Sequence, residues 1–172
     1  MSTAKLNSLH TLLQHELQEL LSFEQQLTEA LPQLIEIAND EWLKKEIAGF
    51  ESKSRRHIET LKEAFAELGM SAGDHQCRAM AGLIDEALEL GKRDAEPHVR
   101  DAALISILQR IGHLGMAAYA TAAAFAHEVG HHQVGERLKQ CWKDENEANS
   151  SMGSLATRWV NFMAAHASTG QS

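Results

Sequence analysis

The sequence HEVGH at residues 127–131 has the spacing of the zinc-peptidase motif H-E-x-x-H. In that motif two histidines at i and i+4 share one face of a continuous helix and bind zinc, and the Glu between them activates the metal-bound water. Gly130 interrupts the stretch, and glycine is typical of the position just past a helix end. We therefore expect the helix to stop there, which separates His127 from His131 and argues against a zinc site and peptidase activity.

A second set of candidate ligands consists of polar residues on apolar helix faces. Glu24 lies between Leu21 and Leu27, His57 lies at the edge of the next apolar stripe, and Glu145 occupies a similar position late in the chain. Carboxylates and histidines that project inward from facing helices can hold two iron or manganese ions in a helix bundle. The alternatives are a Glu24 paired with a basic side chain, a satisfied or exposed His57, and a Glu145 on a solvated acidic face.

The elements that would position these residues are long helices. Apolar residues recur at helical spacing along almost the whole chain. The pattern predicts helices over about residues 4–38, 41–68, 76–92, 98–129 and 132–165, with a bend at Pro32. Four long helices with one short helix between the second and third indicate an all-α, antiparallel four-helix bundle, formed by a single domain over residues 1–172.

Composition and charge exclude several classes of partner. The net charge of −8, without a basic run, argues against nucleic acid and anionic membranes. We find no signal peptide and no apolar run long enough to span a bilayer, and therefore expect a cytoplasmic protein. In that compartment Cys77 and Cys141 are expected to be free thiols.

Three stretches carry a family resemblance: LLSFEQQLTEALPQL, LKEAFAELGMSAGDHQCRAMAGLIDEALEL and RDAALISILQRIGHLGMAAYATAAAFAHEVG. They resemble the YciE/YciF family of ferritin-like stress proteins over about residues 16–150, and the segment from Cys77 to Ile84 is a specific marker of that family. The resemblance implies a ferritin-like bundle, usually dimeric, associated with bacterial stress responses. It also implies a di-metal centre in members that keep the ligands, with Glu24 and Glu145 at two of the ligand positions.

This chain departs from the family pattern at several ligand positions. Relatives commonly read V-E-H-Y-E-I-A-A-Y in the third long helix, where this chain reads IGHLGMAAY, so both glutamates are replaced, by Gly112 and Gly115. Lys53 and Ser54 stand one turn before His57, where a carboxylate is expected, and Asn149 follows Glu145. Glu24, His57 and Glu145 are too few to hold two hard cations in the ordinary way. We therefore expect a degenerate site and no resident cofactor, although iron or manganese at this reduced set is the alternative.

The two helical glycines raise the question of what fills the space beside them. Each costs about 1 kcal/mol relative to alanine, so a close packing partner should offset them. We expect large neighbours, Phe23 and Trp142, to fill the vacated space, because protein interiors pack densely. The alternative is a small-molecule pocket lined by the glycines, these two residues and Tyr119.

The expected function is that of a ferritin-like, stress-associated protein with a structural or protein-interaction role and no ferroxidase activity. The alternatives are a metal-binding or redox protein that uses Glu24, His57 and Glu145, and a small-molecule binder. Self-association as a dimer at least is expected from the resemblance and from Trp42 and Trp159 near helix ends, although each Trp could equally close an end of the core. The sequence does not identify a protein partner.

Overall fold

The computed structural model describes residues 6–167 and is all-α over that range. The helices, in chain order, are α1 (Leu9–Ile37), α2 (Glu41–Leu68), α3 (Arg78–Lys92), α4 (Pro97–Glu128), α5 (His132–Leu155) and α6 (Asn161–His166), and a π-helical turn (Ala156–Val160) joins the last two. The prediction of a four-helix bundle with a short extra helix between the second and third long helices is confirmed. No helix in the described part of the chain is long and apolar enough to cross a bilayer.

The first helix begins later than predicted. The Ser8 side chain accepts the Thr11 backbone N–H at 3.2 Å, and the Thr11 hydroxyl oxygen accepts the Ser8 N–H at 3.2 Å. This reciprocal capping box satisfies free N–H groups and fixes the start of α1 at Leu9. Residue 4, the predicted start, lies outside the described residues. The helix continues through Pro32 to Ile37.

The last helix differs from the predicted continuous span over 132–165, because the π-helical turn interrupts it. The Thr157 hydroxyl donates to the backbone oxygens of Gly153 at 3.0 Å and Ser154 at 3.4 Å. A side-chain hydroxyl that binds these carbonyls competes with the regular backbone ladder, and π turns inside α-helices widen that ladder by one residue. Ala156 and Val160 nevertheless remain buried, so the segment still covers the end of the core.

The turn between α4 and α5 has the break expected from the sequence. Gly130 adopts a left-handed φ of +88°, α4 ends at Glu128, and α5 begins at His132. His131 therefore precedes α5 instead of extending α4, and His127 Nδ1 lies 3.2 Å from His132 Nδ1. The absence of zinc at HEVGH and of peptidase activity stays a prediction.

Two apolar clusters fill the bundle, and a polar layer lies between them. One cluster includes Leu34, Leu43, Ile47, Leu104 and Met152. The other includes Leu13, Leu17, Leu61, Tyr119 and Leu138. On α2, α4 and α5 the residues between the two clusters include His57, the helical glycines and Glu145, and on α1 Glu24 lies close to the boundary between the clusters.

Asp101 ties the α1–α2 turn to the start of α4. It is fully buried, and its two carboxylate oxygens accept the backbone N–H groups of Asn39 at 2.7 Å and Asp40 at 2.9 Å. Asp40 in turn caps α2 through the N–H groups of Trp42 and Leu43, and its other oxygen accepts the Trp159 indole N–H at 2.8 Å. Burial raises the pKa of Asp101, and the two backbone N–H groups oppose that rise.

We predict that Asp101→Asn lowers the free energy of unfolding by about 1–3 kcal/mol, because the amide nitrogen cannot accept the N–H group that the lost oxygen accepted. Thermal unfolding measures the effect, with Asp85→Asn at an exposed position of α3 as the matched control. Equal melting temperatures for Asp101→Asn and the control would contradict the role assigned to this carboxylate.

Candidate functional site: a buried polar layer

Glu24, His57 and Glu145 come together from three helices. Glu24 lies on α1, His57 on α2 and Glu145 on α5, and their exposed fractions are 0%, 1% and 2%. One potential ligand atom from each lies within 4.8 Å of the others. Buried ionisable groups are rare unless they are paired. The partners of these three residues therefore decide what the site can do.

One carboxylate oxygen of Glu24 contacts two hydrogen-bonding groups, a phenol and an imidazole. Its Oε1 accepts the Tyr119 hydroxyl at 2.7 Å and lies 2.7 Å from His57 Nδ1. Its Oε2 is buried without a hydrogen-bond partner. Burial and the adjacent Glu24 carboxylate raise the pKa of Tyr119 well above its ordinary value, so the phenol stays protonated and donates.

Lys53 is the component of the site that the sequence analysis did not assign. Its ammonium Nζ lies 2.7 Å from Glu145 Oε1, and its side chain is only 9% exposed. The same ammonium lies 4.8 Å from the centroid of the Phe50 ring, which is a favourable position for a cation. Lys53 stands at i−4 from His57 on α2, so both project from one helix face. The spacing could have indicated that Lys53 points inward.

His57 supplies a second positive charge. Its Nδ1 lies 3.5 Å from Glu145 Oε1 as well as close to Glu24, and its Nε2 lies 3.3 Å from Asp144 Oδ2. Burial lowers its pKa, but the adjacent Cys141 thiol and Glu24 carboxylate more than offset burial and raise the pKa of His57 to about 10. At neutral pH the ring is therefore an imidazolium, and its two N–H groups can donate to carboxylate oxygens on both sides of the ring.

Charge balance in the layer follows from these contacts. Burial raises the pKa of Glu145, and the Lys53 ammonium counteracts this. The two buried carboxylates, Glu24 and Glu145, then face two cations, Lys53 and His57. The half-buried Asp144 also has a shifted pKa. Burial raises it, but hydrogen bonds from Gln140 and His57 outweigh burial and hold the pKa of Asp144 below the usual range.

The helical glycines of α4 are close-packed. A Cβ atom added at Gly115 would lie 3.0 Å from Phe23 Cζ and 3.4 Å from Glu145 Cδ, and one added at Gly112 would lie 2.9 Å from Asn149 Oδ1. Phe23 thus occupies the space beside Gly115. Trp142 is not among the nearest neighbours of either glycine and packs instead against the cluster that contains Leu13.

Little space remains for a ligand. The cavity lined by Gly112, Lys53, Glu145 and Asn149 has a volume of about 10 Å³, which is near the minimum for one water molecule. Among the residues proposed from the sequence as a pocket, only Gly112 lines it; Gly115, Phe23, Trp142 and Tyr119 do not.

The donor set does not fit a di-metal centre. Such a centre in a bundle uses four carboxylates and two histidines, whereas this layer offers Glu24, His57 and Glu145. Lys53 places an ammonium within hydrogen-bond distance of Glu145, where a second cation would meet strong repulsion. Two buried oxygens without a hydrogen-bond partner, Glu24 Oε2 and Asn149 Oδ1, are the features that favour an added cation.

Comparison with known proteins supports the same fold and places the family. Residues 8–165 match the family model described as "Domain of unknown function (DUF892)". The chain is 31% identical to Protein YciF of Escherichia coli K12 over 151 residues, which cover 87% of this chain and 91% of that protein.

Two solved structures are also similar. The crystal structure of the E. coli stress protein YciF has a TM-score of 0.87 at 29% identity, and YcfI of Rhodopseudomonas palustris has a TM-score of 0.85 at 31% identity. In each case the match covers 91% of this chain and 99% of the other. The chain belongs to the YciF-like DUF892 family, the family of ferritin-like stress proteins that its sequence resembles.

Proposed function

We propose that this protein is a stress-associated ferritin-like bundle in which a layer of internal ion pairs takes the place of the di-metal centre, and that it acts through its surfaces as a structural or interaction protein in the cytoplasm. The observation that carries the proposal is the 2.7 Å contact between the buried Lys53 ammonium and Glu145. A covalently attached cation neutralises the carboxylate that a metal would otherwise neutralise.

The alternative functions have weaker support. A metal-binding or redox protein that used Glu24, His57 and Glu145 would have to displace Lys53 or accommodate its charge. A small-molecule binder would need more room than the 10 Å³ beside Gly112. Analysis of iron and manganese in protein purified without an affinity tag separates the first alternative from the proposal.

We predict that the wild-type protein has no di-iron complement and that restoring glutamates through a Gly112→Glu, Gly115→Glu double variant does not create one. Phe23 blocks Gly115, and the new carboxylate would meet Glu145, so the variant should lose roughly 1–3 kcal/mol of stability. The measurements are iron content and thermal unfolding.

The matched control for the double variant is Gly49→Glu, at an exposed helical glycine where an added Cβ would have no atom within 4 Å. That substitution should leave stability unchanged or raise it slightly, because a helix interior disfavours glycine. A wild type with a full di-iron complement, or a double variant that gains iron at unchanged stability, would show the proposal to be wrong.

A second prediction concerns the ion pair itself. Lys53→Met should lower the free energy of unfolding by roughly 3 kcal/mol, near the lower end of the range for a buried pair that loses one partner, because the His57 imidazolium still lies 3.5 Å from Glu145. Lys62→Met, at an exposed lysine paired with Glu59, should change stability by less than about 1 kcal/mol. Denaturant titration measures both, and equal effects would contradict the stabilising role of Lys53.

We further propose that the protein self-associates, as a dimer at least, through the end of the bundle where α2 begins. Trp42 is 66% exposed and Trp159 is 45% exposed, and both lie beside Asp40. Exposed large aromatic residues are enriched at protein interfaces.

Light scattering at micromolar concentration should therefore show a dimer or larger species. Trp42→Ser should shift the population toward monomer, whereas Leu6→Ser, at a 58% exposed position near the start of α1, should not. A monomeric wild type, or equal effects of the two substitutions, would rule out this interface.

A further inference from the structure

A second group of potential metal ligands lies on the surface, apart from the buried layer. His15 and Glu19 are one helical turn apart on α1, and His75 lies in the α2–α3 connection, residues 69–77. One ligand atom from each lies within 4.8 Å of the others, and the side chains of His15, Glu19 and His75 are 36%, 29% and 30% exposed. The group is therefore accessible to an ion from solvent.

The three donors already face one another. His75 Nε2 lies 2.5 Å from Glu19 Oε1, and His15 Nε2 lies 3.9 Å from the same oxygen. The two imidazole rings are arranged edge to face, with their centroids 5.0 Å apart. Ligands of a tetrahedral zinc ion with bonds of 2.0–2.1 Å stand about 3.3 Å apart. Side-chain movements on the order of 1 Å would bring the three atoms to that spacing.

The backbone around His75 is fixed on both sides. Before it, Ser71 O accepts the side-chain amides of Gln14 at 3.0 Å and Gln18 at 2.9 Å. After it, the Cys77 N–H donates to Ser22 Oγ at 3.0 Å. A connection anchored at both ends holds the imidazole over α1 before any ion binds, which lowers the entropic cost of binding.

Gly73 permits this close approach. Its φ of +63° lies in the left-handed region, and an added Cβ would lie 3.0 Å from Gln18 Nε2. A larger residue would strain the backbone and push the connection away from α1. The chain therefore reaches α1 closely enough for a loop histidine to share a ligand set with two helical residues.

We propose that His15, Glu19 and His75 form a binding site for a divalent transition metal of the zinc class, which clips the α2–α3 connection to α1. Two imidazole nitrogens and one carboxylate oxygen are the ligand types that suit zinc, and an exposed fourth position can be taken by water. The site shares no residue with the layer formed by Lys53, His57 and Glu145, so its test is independent of the function proposed above.

The experiment is a zinc titration of the untagged full-length protein by calorimetry, after prior metal removal with a chelator. His75→Gln and His15→Gln each remove one ligand and should weaken zinc binding at least ~10-fold, since even the loss of a partner that only supports a ligand costs that much. Zinc should also raise the melting temperature of the wild type, and this rise should disappear in both variants.

The matched control is His132→Gln, which removes one imidazole of another close pair of histidines, His127 and His132. It should retain wild-type zinc affinity. Cobalt titration gives a second readout, because three protein ligands with nitrogen and oxygen donors produce a visible tetrahedral spectrum that His75→Gln should abolish. A wild type that binds no zinc, or zinc binding that is lost with His132→Gln and retained with His75→Gln, would overturn the proposal.

Discussion

The structure depends on charge balance in the middle of the bundle. Glu24 and Glu145 are fully buried, and two carboxylates in a poorly hydrated interior stay ionised only when cations lie beside them. Lys53 and the imidazolium of His57 supply those cations from one face of α2. The packing around the layer conforms to this requirement: Tyr119 donates to Glu24, and Phe23 occupies the space where a further side chain on α4 would reach.

The layer also fixes how the helices align. Its members come from α1, α2, α4 and α5 and lie between the two apolar clusters. Without this layer, the helices could shift along one another with less loss of apolar contact. A shift of one helical turn would leave Lys53 or Glu145 unpaired in an apolar environment, which is strongly unfavourable. Asp101 has a similar effect at one end, because both of its oxygens bind the α1–α2 turn. Polar contacts thus specify an arrangement that apolar burial alone would specify less sharply.

The sequence predicted the helices well because their apolar periodicity is local information. It also identified Glu24, His57 and Glu145, since a polar residue on an apolar stripe is conspicuous. It did not assign Lys53 a role, because pairing with Glu145 joins residues that are distant in the chain. The π-helical turn was missed for a related reason. The hydrogen bond from the Thr157 hydroxyl to the Gly153 carbonyl forms only in the folded helix, so the sequence pattern does not indicate it. His75 carried no signal at all, since nothing in a loop sequence indicates that it folds back onto α1.

The proposed replacement of a metal pair by Lys53 would change what the bundle can do. A metal ion can leave, be replaced or change its oxidation state, whereas the Lys53 ammonium is covalently attached to the chain. The interior then keeps its folded-state charge balance without any supply of metal. It would also lose the open coordination positions that substrates and oxygen need. A ferritin-like bundle built in this way would be stable under conditions in which metal is scarce, and selection would act on its outer surfaces.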